Sequence, residues 1–180
     1  MRKKHLVMLL SVCLIVSVMV NCYSFFKIHD YKLQNNKRHM NQIDNFYFYG
    51  MEIPQFKIEK IMELINQDPP DAREGVETWL LEIASDYSVA ENSLAATQIH
   101  PRLFFEQLKG FLLDMIRTED DFEKWKQICL ELNDITSYLK LNLSKDDLKD
   151  PSNADENWLK IMNEIKEKYA HTYLISNMSL

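Results

Sequence analysis

The chain opens on an apolar block and then changes period. Leu6–Val20 is apolar except for Ser11 and Ser17, and it follows Arg2-Lys3-Lys4. With His5 neutral, no formal charge occurs from His5 to Phe26. As a helix rising about 1.5 Å per residue, that uncharged window reaches roughly 33 Å, enough to cross a hydrocarbon core of about 30 Å. Its ten Leu, Ile and Val residues in Leu6–Val20 favour insertion by about 3–6 kcal/mol. Tyr23, Phe25 and Phe26 suit the interfacial aromatic belt. Residues 1–26 are therefore expected to be a signal-anchor or transmembrane helix. The alternative is a cleaved signal peptide, for which Val20/Cys22 and Cys22/Ser24 offer passable small-residue pairs without an A-x-A site. Either way the remainder crosses the membrane if the amino terminus stays inside. Lys27, Lys32, Lys37 and Arg38 on the far side keep the opposite orientation open.

Residues 27–53 read as a basic, Asn/Gln-rich linker ending in an aromatic segment. Four aromatics, Phe46-Tyr47-Phe48-Tyr49, precede Gly50 and Pro54. Such a run favours extended backbone, and it lies outside every helical stripe. It is the one stretch that stands out as a partner-docking element, by strand addition or by direct contact. The alternative is that it folds back onto its own bundle.

From Pro54 the apolar positions step by three and four, the period of a half-buried helix. Phe56, Ile58, Ile61, Met62 and Ile65 predict a first helix, stopped by Pro69-Pro70. Val76, Trp79, Leu80, Ile83, Ala84 and Tyr87 predict a second, and a shorter one is expected over residues 89–99. After His100-Pro101 come Leu103, Phe104, Leu108, Phe111, Leu112 and Met115. Two further stripes are Phe122, Trp125, Ile128, Cys129, Leu132, Ile135 and Leu139, then Trp158, Ile161, Met162, Ile165, Tyr169 and Tyr173. Asp71-x-x-Glu74, Ser88-x-x-Glu91, Thr118-x-x-Asp121 and Ser152-x-x-Asp155 look like helix starts. In each, a capping oxygen stands three residues before an acid that suits the positive end of the helix dipole. Ser144-x-x-Asp147 has the same form, but Asp150-Pro151 follows closely, so only a turn or short helix is expected. Gly110, inside a stripe, suggests a close helix approach. The fold expected is all-α: the N-terminal helix followed by a bundle of five or six helices over residues 54–180.

Charge divides the chain. Residues 1–45 carry a net of +5 and residues 46–180 a net of −11. A basic segment beside a bilayer can lie against anionic headgroups, or simply be a solvated linker. An acidic domain repels phosphate backbones, so nucleic acid is not an expected partner. Cys13 and Cys22 fall in or beside the apolar block, which leaves Cys129 alone in the domain with no disulfide partner there. Cys129 reads as a small buried apolar residue.

No catalytic, cofactor or metal residues are assigned. Three glycines leave no G-x-G-x-x-G and no P-loop, and there is no G-x-S-x-G. His5, His29, His39, His100 and His171 form no zinc spacing. Glu167 and His171, four apart, are expected to pair on one helix face. The acids at Glu119–Glu123 lack the spacing of a calcium loop. Asn142-Leu-Ser144 and Asn177-Met-Ser179 match the glycosylation pattern at a frequency that chance supplies.

The reading is a single-pass membrane protein whose C-terminal domain faces away from the cytoplasm, acting as a non-catalytic interaction or accessory module. Its expected contacts are lipid, through the N-terminal helix, and another envelope or membrane protein. The alternatives are a secreted form after cleavage, a small-ligand sensor, and a hydrolase built on carboxylates from different helices.

Overall fold

The computed structural model describes residues 2–67, 71–97, 99, 104–119, 121–150 and 152–178, with side chains described from Cys13 onward. Among the described residues the chain is helical and contains no strand. It divides into two compact units, Met1–Arg38 and His39–Leu180.

The first unit is the greater part of α1, Arg2–Tyr47. Leu14, Ile15, Val16, Val18, Met19, Val20, Tyr23, Phe25 and Phe26 are all exposed along it. Among the described residues no helix is long and apolar enough to cross a membrane. The first seven residues of the apolar block, 6–12, lie outside the described side chains.

The second unit is a helical bundle, as the apolar stripes predict. The end of α1 leads through a wide turn, Phe48–Glu52, into α2, Ile53–Gln67. Across that turn the Ile53 N–H donates to the Phe48 carbonyl, five residues back, as in a π-helix. Then come α3 (Ala72–Ala96), α4 (Phe104–Thr118), α5 (Phe122–Asn142), α6 (Lys145–Lys149), α7 (Ala154–Lys168) and α8 (Tyr173–Ser176). The long helix α3 packs chiefly on α4 and α2, and α2 also packs on α5. Each helix turns its periodic apolar positions inward: Ile58, Ile61 and Ile65 from α2, Val76, Leu80 and Ile83 from α3, Leu108 and Leu112 from α4. Trp125, Ile128, Leu132 and Ile135 from α5 and Trp158 and Ile165 from α7 complete the interior.

Several local expectations are overturned. The aromatic segment is helical, not extended. Its bulky side chains find a continuous interior on one side, and that burial outweighs local β preference. Residues 89–96 do not form a separate helix but continue α3. Ser88 is no cap there: its hydroxyl donates back to the Ala84 carbonyl at 3.5 Å, a bond helix interiors allow. Thr118 likewise ends α4 by donating to the Asp114 carbonyl, and the cap of α5 is Asp121, which accepts from the Glu123 N–H at 3.0 Å. Asp71 and Asn153 occupy the cap positions of α3 and α7 without a side-chain bond. The complete reciprocal box is at Ser144 and Asp147, opening the five-residue helix α6. Gly110 faces open space, whereas Gly50 is the close approach. A Cβ added to Gly50 would lie 3.2 Å from both Ala90 Cβ and Phe46 Cε2. Glu167 and His171 share no helix face, because α7 ends at Lys168.

Candidate interaction surfaces

The structure splits the aromatic quartet. Phe46 is fully buried and Tyr47 nearly so, while Phe48 is 47% exposed and Tyr49 half-buried. Phe46 sits edge-on to Tyr47, Phe105 and Trp158, with ring centroids 5.4, 5.6 and 5.7 Å away. Its ring therefore ties residues 39–47, the end of α1 that belongs to the second unit, into that unit's interior. The Tyr47 hydroxyl donates to the Leu143 carbonyl, and burial, helped by Asp147 and Asp146, pushes its pKa up. Asp44 pairs with Lys145 at 2.8 Å, and His39 Nε2 lies 3.0 Å from the Leu148 carbonyl. Within the second unit, residues 39–47 thus clasp the α5–α6 turn.

Two polar groups are sunk into α3. Asp86 takes the Lys57 ammonium at 2.6 Å, and Glu82 takes it at 3.1 Å. Burial opposes the Lys57 charge, but its hydrogen bonds to Asp86 and Glu82 outweigh that and hold its pKa above the ordinary lysine value. Burial also raises the Asp86 carboxyl, against the pull of Lys57. Glu91 is buried, and its Oε2 accepts from the Phe105 N–H at 3.2 Å, so a side chain of α3 caps the start of α4. Desolvation raises the Glu91 carboxyl; bonds from the Phe105 and Glu106 backbone only partly offset this. Among the described residues its Oε1 and the Trp158 Nε1 have no hydrogen-bond partner. Cys129 is fully buried, and desolvation pushes its thiol up to about 12, which is the wrong direction for a nucleophile.

Two open clefts lie among the described residues. One, of about 550 Å³, lies between α5 and the α7–α8 turn and is lined by Tyr138, Leu141, Lys168, Tyr169 and His171 among others. There the Lys168 ammonium lies 4.1 Å above the Tyr138 ring and 5.1 Å from that of Tyr169. The Tyr138 hydroxyl donates to Glu164 at 3.0 Å, and the Tyr169 hydroxyl to the Asp134 carbonyl at 3.2 Å. The second cleft, also about 550 Å³, lies between α4 and α8, with Phe111, Asp114 and Tyr173 in its walls. Neither cleft is visible in the sequence, because each joins helices whose exposed faces carry no distinctive spacing. Among the described residues no cluster of three His, Cys, Asp or Glu side chains is placed to hold a metal. His100 and Pro101 lie outside the described residues.

In comparisons with known proteins, no family model, curated protein or solved structure matches the chain.

Proposed function

We propose that the protein is a membrane-anchored helical interaction module, non-catalytic, with its C-terminal domain on the extracytoplasmic side. The observation that carries this reading is the exposure of Leu14, Ile15, Val16, Val18, Met19 and Val20 over about two-thirds of the circumference of α1, with the small Ser17 in the remaining sector. An apolar face that wide, with none of the described residues packed on it, is best matched by an apolar surround. In the sequence the same block extends back to Leu6. The acidic, closely packed domain that follows supports an adapter role, since its charge keeps it soluble and attracts cationic partners. The partner in this reading is another membrane or envelope protein.

Fractionation tests the placement. Full-length protein is expected in the membrane pellet after alkaline carbonate extraction, and protease added from the outside is expected to remove residues 54–180. Recovery of intact protein in the soluble cytosolic fraction would refute it. The runner-up is a small-ligand sensor, favoured by the aromatic cleft at Tyr138 and Tyr169, whose volume falls within the range of small-molecule sites. A metabolite that raises the melting temperature in the wild type, but not in Tyr138→Ala, would promote it.

A further inference from the structure

Along the wide turn and α2, burial alternates with helical regularity. Gly50, Met51, Pro54, Ile58, Ile61 and Ile65 face inward, and Phe48, Glu52, Phe56, Glu59 and Glu63 face solvent. The outward set forms one ridge of about four turns, roughly 23 Å at 1.5 Å per residue. Two phenylalanines stand on it, 47% and 53% exposed, one turn to either side of Glu52. Large aromatic rings on a solvent ridge are costly to leave wet, and here they come paired with acids.

We propose that this ridge docks an amphipathic helix of a partner protein that bears lysine or arginine, with one cation seated at Glu52 between Phe48 and Phe56. The proposal rests on the interaction-module reading above. Its strongest support is that the neighbouring turn already holds a cation in this way. The Lys60 ammonium lies 5.8 Å over the Phe56 ring and pairs with Glu63 at 2.8 Å. Glu52 precedes Phe56 by one turn on the same exposed face, and among the described residues it has no ion-pair partner. Lys140, which reaches α2 from α5, is engaged with Gln55 at 2.7 Å instead. The charge of the ridge selects the class of occupant: with Glu63 already paired to Lys60, Glu52 and Glu59 remain, within a domain of net −11, to attract a basic helix and repel anionic lipid headgroups. A helix is the fitting shape, because ridges of spacing three and four pack between those of a second helix.

The test places a photo-crosslinking benzoyl-phenylalanine at position 48 or 56 of the full-length chain in its native membrane, with position 130, also exposed on α5, as control. Positions 48 and 56 are expected to yield one protein adduct and position 130 none. The partner-side peptide, read by mass spectrometry, is expected to carry Lys or Arg within one helical turn of the linkage. Glu52→Lys is expected to lower the yield about tenfold, and reversing that partner residue to Glu is expected to restore it. Glu52→Gln, which leaves the volume unchanged, keeps the test decisive if charge reversal disturbs the melting temperature, and its yield is expected to fall as well. Adducts with lipid or with a second copy of the chain, no adduct at all, or a yield indifferent to both substitutions would overturn the proposal. Carbonate extraction of the same samples separates the two readings. Soluble protein with an intact charge-swap rescue sinks only the membrane placement, whereas membrane-bound protein without rescue sinks only the docking ridge.

Discussion

Phe46 and Phe48 are two residues apart in one aromatic run, and the structure gives them opposite tasks. Phe46→Ala removes a ring that is 0% exposed and touches three other rings at centroid distances of 5.4 to 5.7 Å. Truncating a buried Phe to Ala costs about 3–5 kcal/mol through lost transfer energy and the cavity left behind. The upper part of that range is expected here, because Phe105 and Trp158 are themselves fully buried and have no room to collapse inward. For a chain of this size each kcal/mol moves the melting temperature by about 2–4 °C, so a fall of roughly 8–20 °C is expected. Phe48→Ala removes a ring that is 47% exposed and is expected to cost about 1 kcal/mol or less. Both variants are melted as full-length chains in the same detergent, followed by far-UV circular dichroism and, independently, by tryptophan fluorescence, which reports on Trp79, Trp125 and Trp158 together. Equal losses, or a larger loss for Phe48→Ala, would mean that the end of α1 does not enter the bundle as described.

Glycine substitutions separate close packing from open space. Gly50→Ala is expected to destabilise by about 1–3 kcal/mol, since the new methyl meets Ala90, Phe46 and Phe105 at 3.2 to 3.3 Å. Gly110→Ala meets nothing within 4 Å and is expected to stabilise by about 0.5–1 kcal/mol in chemical unfolding. Glu91 sets a pH dependence of unusual sign. Because burial raises its folded pKa above the unfolded value, the folded state holds the proton more tightly, and the Glu91 contribution to stability falls as pH rises through that interval. Comparing wild type with Glu91→Gln from pH 4 to pH 7 is expected to show a shallower loss in the variant; identical slopes would remove Glu91 as the cause. Cys129 is expected to resist a thiol reagent at pH 8 in the native Cys13→Ser, Cys22→Ser background and to react at once in denaturant. Rapid native labelling would show that the α5 core opens.

The helices were legible in the sequence because each carries its own stripe: Val76 to Tyr87 or Phe122 to Leu139 specify an inward face without reference to any neighbour. What escaped was set by partners distant in sequence. Glu91 reads as the closing acid of a capping box begun by Ser88, and its carboxylate does serve a helix start, but that of α4, at Phe105 fourteen residues on. The run Phe46–Tyr49 looked extended because local preference was all that could be weighed, while Phe105 and Trp158, which draw Phe46 into a helix, lie far along the chain. Ser144-x-x-Asp147, which with Pro151 so close predicts only a turn or short helix, opens the five-residue helix α6. The ridge at Glu52 was hidden for a related reason. Its pattern crosses from the wide turn into α2, and the two share an outward face only in the folded chain.

The wide turn at Phe48–Glu52 has a consequence for how this chain tolerates change. It takes up one residue more than an α-turn between two helices that run on without a loop. Removing that residue would restore α-winding with Ile43, Phe46 and Tyr47 still turned inward, whereas adding one more would swing them by about 100° around the helix axis relative to α2. Those five residues act as a phase setting for everything from His39 to Tyr47, tolerant of a length change in one direction and not in the other.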